Sequence, residues 1–250
     1  METLARRAIP PFLLAAALAL TGASLAAAPH LSSRQDKGAK SARPALASDK
    51  GKFRILLDGQ PAGSEEFEIS GSGASWTARG SSAVHVPGSG NTKPMDVKTS
   101  GTLQLSGDAT PLHYEWSVQA QKKTTGTVSF QNGTAKTATD FGGSAFAQDF
   151  TFPTPRVAIL DNNLYYQYAV LARLYDWKAA GQQNISVLIP QDGAPGEVTV
   201  ESLGQQDLDG KKYDALRVRS TDLEILLYLD SQHRLMRLEV PSSKVIVERQ

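Results

Sequence analysis

From Phe53 to Val247 the chain alternates apolar and polar residues in short runs, each closed by a turn signal. Successive side chains of a strand point to opposite faces, so this period of two predicts half-buried strands rather than helices. Phe53, Ile55 and Leu57 precede Asp58-Gly59, and Phe67 and Ile69 precede Gly71-Ser72-Gly73. Trp76 and Ala78, then Val84 and Val86, continue the pattern up to the loop composition of residues 87–91. Leu103 and Leu105 run into Gly107-Asp108. Leu112, Tyr114, Trp116 and Val118 alternate with His113, Glu115 and Ser117, and Val128 and Phe130 lead to Asn132-Gly133. Asn-Gly is the strongest short hairpin signal. Further on, Ile185, Val187 and Ile189 alternate, as do Val198 and Val200, and Asp209-Gly210 joins two more strands. Leu223, Ile225, Leu227 and Leu229 alternate while Leu226 and Tyr228 fill the other face, which predicts a central strand covered on both sides. Leu235–Val240, stopped by Pro241, and Val245 with Val247 complete roughly a dozen strands. Short turns favour antiparallel pairing.

The period changes once. Leu164, Tyr168, Leu171 and Tyr175 form one helical stripe, widened by Tyr165, Ala169, Val170, Ala172 and Leu174. Asp161 suits an N-cap and Gly181 a stop, so a helix is expected over 161–177 and on to Ala179. A helix this apolar packs against the sheet. The expected fold class is therefore mainly β (α+β): a strongly curved antiparallel sheet or β-roll packed on one long helix, in a single domain from residue 53 to 250.

Residues 1–28 read as a signal peptide. Arg6 and Arg7 precede an apolar run from Ala8 to Leu20, and small residues continue through Ala28. That run is shorter than the ~20 residues a membrane helix needs, so no stable span is expected after cleavage. The paired arginines touch on the twin-arginine route, but the surrounding residues fit the ordinary secretory route better. The chain has no cysteine, which excludes lipoprotein anchoring through cysteine, disulfides and Cys-ligated zinc. Residues 29–52 lack an apolar period and read as a disordered basic linker. From residue 27 to 52 there are six basic and two acidic side chains; from Phe53 onward there are 18 and 22. A domain of that sign is not expected to bind nucleic acid. The expected location is periplasmic or secreted.

Several segments resemble an exported bacterial family of unknown function: the opening Ile55-Leu56-Leu57-Asp58-Gly59-Gln60-Pro61-Ala62-Gly63, the proline-led strand Thr110-Pro111-Leu112-His113-Tyr114-Glu115-Trp116, the helix over 161–177, and the closing hairpin 210–240. The resemblance implies a curved antiparallel sheet rolled around a helix, shaped like envelope lipid or lipoprotein carriers. It brings no catalytic residue to this chain. The Gly- and Ser-rich stretch 71–101 departs from a tidy strand pattern.

No catalytic motif stands out. His30, His85, His113 and His233 keep no metal-ligand spacing, and there is no G-x-S-x-G elbow, dinucleotide fingerprint or P-loop. Glu65 and Glu66 are adjacent and should point to opposite faces of a strand, so they do not form a glycosidase pair. Asp207 and Asp209 flank a turn and read as turn chemistry rather than a calcium loop. The aromatics of the helical segment are the sharpest candidates. Tyr165, Tyr168, Tyr175 and Trp177, with Trp116 from the sheet, pack the helix onto the strands. If the rolled sheet leaves a cavity, they also line a site for an apolar or amphipathic envelope ligand such as a lipid. The expectation is a non-catalytic envelope protein without cofactor or metal. A structural module that binds an envelope protein partner, and an enzyme whose site assembles only in space, are the alternatives.

Overall fold

The computed structural model describes residues 46–88 and 93–250; the expected signal peptide and the linker up to residue 45 lie outside them. Strand β1 (Asp49–Leu57) begins inside the expected linker, because Leu46 and Asp49 are already buried. There follow β2 (Gln60–Ser72), β3 (Ser75–Val86), β4 (Met95–Ser106), β5 (Pro111–Gln119), β6 (Lys123–Gln131), β7 (Thr134–Asp140), β8 (Ala145–Thr151) and β9 (Val157–Ile159). Helix α1 (Tyr166–Leu174) comes next, then β10 (Gln182–Ile189), β11 (Ala194–Leu208), β12 (Lys211–Arg219), β13 (Glu224–Leu229), β14 (Leu235–Val240) and β15 (Val245–Arg249).

All fifteen strands form one sheet, in the order β8 to β1 and then β15 to β9. Strand β1 pairs with β15, so the two ends of the described chain meet in the middle of the sheet. Among the described residues the sheet does not close: β8 and β9 are its two edges. Every pairing is antiparallel except β9 with β10. The turn dipeptides act as expected. Asp58-Gly59, Asn132-Gly133 and Asp209-Gly210 all have positive φ at both residues, the backbone of the tight hairpin turn.

Two expectations are corrected. The helix has nine residues rather than seventeen or more. Leu164 and Tyr165 lead into it, and Tyr175 is already extended. These flanking residues are apolar because the whole segment is buried, and burial mimics a longer helical stripe. Strand β13 is not covered on both sides: Ile225, Leu227 and Leu229 face the core, while Leu226 and Tyr228 are only half-buried on the outside.

The helix lies inside the curve of the sheet, against β3, β9 and β14. A row of residues across the inner face makes room for it: Phe67, Gly80, Gly101, Trp116, Gly126, Thr139 and Phe146 stand opposite one another from β2 to β8. A Cβ on Gly80 would lie 2.4 Å from Cδ1 of Tyr166, and one on Gly101 would lie 2.6 Å from the Tyr114 hydroxyl. A Cβ on Gly126 would lie 2.5 Å from the ring of Trp116. Each glycine is the floor on which an aromatic ring rests.

Candidate functional site

The densest polar chemistry lies where α1 begins. Glu65, on the inner face of β2, is completely buried. Its two carboxylate oxygens accept from the backbone N–H groups of Tyr165 (2.8 Å) and Tyr166 (3.2 Å). The first turn of a helix has N–H groups without intrahelical partners, and Glu65 satisfies two of them from a strand about a hundred residues away. Asp161, the expected N-cap, does not cap the helix, whose N-cap is Tyr165. Asp161 instead accepts from the Tyr114 hydroxyl (2.8 Å) and the Gln191 N–H (2.9 Å). Gln167 ties the group together: its carbonyl accepts the Asp161 N–H, and its amide donates to the Tyr114 oxygen at 2.9 Å. At the other end of α1 Arg156 donates to the Leu174 carbonyl at 2.8 Å. The cation at the C-terminus matches the helix dipole.

Burial dominates the ionisation of both carboxyls. It raises Glu65 from 4.5 to about 8, against the opposing pull of the two N–H groups. It raises Asp161 from 3.8 to about 7, against the bonds from Gln191 and Tyr114. Withdrawal from water disfavours the charged form more than these bonds favour it.

Among the described residues the five expected binding residues do not share one pocket. Tyr165 and Tyr168 line a cavity of about 40 Å³ together with Asp161, Asn163, Ile225 and Leu238. That volume holds a few water molecules, whereas pockets for small ligands run to ~300–1,000 Å³. Tyr175 donates its hydroxyl to the Gly181 carbonyl and meets Trp177 edge to face, with ring centres 5.1 Å apart. Trp177 stacks on His233 at 4.1 Å. Trp116 is buried over Gly126 on the sheet. His113 sits on the outer face, bonded to Glu115 at 3.1 Å, and Asp207 accepts from the Gly210 N–H within its turn. Sequence reasoning placed Glu65 and Glu66 on opposite faces but missed what Glu65 holds. It also missed Tyr114 and Gln167 as polar partners. The available signal was a carboxylate at an inward position of a strand, which demands a buried partner.

A second region is the free edge at β8. Among the described residues no strand lies on its outer side. The bonds from Phe152 N–H to Gly133 O and from Phe141 N–H to Ser144 O bracket its ladder with β7. Antiparallel bonding alternates. Even-numbered residues of β8 therefore bond to β7, and Ala145, Ala147, Asp149 and Thr151 turn their N–H and C=O groups outward. Six of the seven residues of β8 are exposed, all but Phe150. Phe146 and the neighbouring turn residue Phe141 are 56% and 52% exposed.

The fold of the described residues defines a class: a barrel-like, unclosed antiparallel sheet curved around one helix. A solved structure with this shape is a β-barrel-like protein of the domain-of-unknown-function family DUF1849 from Brucella abortus. It is 11% identical, with a TM-score of 0.56 over 82% of this chain and 96% of that one. A DUF1089 family protein from Pseudomonas aeruginosa is 10% identical, with a TM-score of 0.42 over 84% and 98% of the two chains. No family model and no curated protein matches the sequence.

Proposed function

We propose that this chain is an exported, non-catalytic envelope module that holds a protein partner along the edge strand β8. The observation that carries the reading is the β8 edge itself, an extended strand exposed along its length with alternate backbone groups turned outward. Such an edge is a template for adding another strand. The interior supports the same choice. Its raised carboxyls are engaged by backbone N–H groups of the helix segment, and the cavity lined by Tyr165 and Tyr168 is of water size. The export half of the reading comes from the sequence of residues 1–28.

A photo-crosslinking side chain at Ala147, on the outer edge of β8, tests the reading against one at Glu66, on the outer face of β2. In living cells the Ala147 position is expected to give a discrete protein adduct that the Glu66 position does not. Equal, diffuse labelling from both positions overturns it. Native mass spectrometry that finds stoichiometric lipid on the purified protein would instead restore the ligand reading.

A further inference from the structure

We infer that the occupant of the β8 edge is a second copy of this chain, paired antiparallel about a two-fold axis through Gln148. This rests on the reading of β8 as a binding edge and names its partner. Edge strands usually carry a device against self-association, such as a lysine, a proline or a bulge. Strand β8 reads Ala-Phe-Ala-Gln-Asp-Phe-Thr and pairs with β7 in unbroken register, so it has none of these.

The strand is complementary to itself. Its midpoint is Gln148, so full overlap of two copies sets residue 147 against 149 and residue 145 against 151. These are the residues whose N–H and C=O groups face outward, so the free donors of each copy meet free acceptors of the other. On the inner face the same register sets Phe146 opposite Phe150, an aromatic pair that covers the exposed Phe146 ring. Asp149 is the only charged residue of the strand. In this register it faces Ala147 of the other copy, whereas centring the pair on Asp149 would set two carboxylates face to face. An isologous contact of this kind closes as a dimer and does not propagate from that edge.

The absence of cysteine makes the register directly readable. Gln148 lies on the axis at a pair without mutual ladder bonds, where opposite Cβ atoms are closest and suit a disulfide. Under mild oxidation Gln148→Cys is expected to form a covalent dimer. Ala147→Cys and Asp149→Cys should crosslink poorly alone and better when mixed, though less readily than Gln148→Cys, because theirs is a hydrogen-bonded pair with Cβ atoms farther apart. Sedimentation velocity from about 1 to 100 µM, the range of a small interface, should show a dimer. Ala147→Pro should weaken that dimer about tenfold or more. It removes an outward N–H and leaves the bonds to β7, so its circular dichroism should match wild type. Gln148→Cys crosslinking no better than Ala147→Cys overturns the proposal, as does a dimer insensitive to Ala147→Pro. A wild-type monomer whose Ala147 photo-adduct is another protein overturns self-pairing but keeps the partner reading. An adduct within one chain, to residues before Leu46, overturns both.

Discussion

Glu65 caps a helix to which it is not joined locally, and its burial makes it a pH-sensitive part of the fold. Unfolded, Glu65 and Asp161 titrate near 4.5 and 3.8; folded, at about 8 and about 7. Between those limits the folded chain holds protons that the unfolded chain has released. Their contribution to stability is therefore complete below about pH 4 and is lost as the pH rises toward 8. Thermal melts should show a higher Tm at about pH 5 than at about pH 8. Glu65→Gln keeps a carbonyl acceptor at the helix start and cannot ionise. It should be more stable than wild type at the higher pH and show a flatter pH profile. The glycine floor gives a second residue-level prediction. Gly80→Ala would place a Cβ 2.4 Å from Tyr166 and 2.8 Å from the Glu65 carboxylate, so the helix start must shift. A loss of about 1–3 kcal/mol is expected in urea unfolding, the cost of overfilling a packed core. Glu65 was legible in the sequence only as one of two neighbouring carboxylates on opposite faces. What it holds depends on a contact across about a hundred residues, and no local pattern records such a contact.

Helix α1 exists because of what surrounds it. Nine residues are too few for a stable isolated helix, which needs ~12–15. A peptide covering residues 160–178 should give a coil spectrum by circular dichroism in water. In the protein, Glu65 satisfies its first turn, Arg156 its last, and the Tyr114–Asp161–Gln167 group fixes its approach. Tyr114→Phe would leave Asp161 and Gln167 short of a buried partner, and should cost about 1–3 kcal/mol by chemical denaturation. The strands were far more legible than the helix. Three of their hairpin turns carry Asp-Gly or Asn-Gly, and their inward residues alternate in a period that burial preserves. Strand β9 escaped notice because three buried residues, Val157, Ala158 and Ile159, show no alternation at all.

At the scale of the molecule, the sheet depends on the join between β1 and β15. Arg249 donates to Asp49, to the Lys50 carbonyl and to the Leu235 carbonyl, fixing the last strand to the first. The Asp49 side chain is almost wholly withdrawn from water. Arg249→Ala leaves that carboxylate buried without its cation, so a loss of about 3–5 kcal/mol is expected. Replacing both Asp49 and Arg249 with apolar residues should cost much less, and a double-mutant cycle measures the difference. The overall architecture, a curved β-sheet with one helix, could be read from periodicity. Its strand order could not, because alternation records which face is buried and says nothing about which strand lies alongside.

That strand order sets a schedule. A nascent chain leaves the ribosome N-terminus first, and β1 finds β2 almost at once across a two-residue turn. The other flank of β1 then waits for Val245–Arg249, the last of the described strands in chain order. Until β15 is made, β1 keeps one raw edge, and any chaperone that binds extended chain has that long to find it.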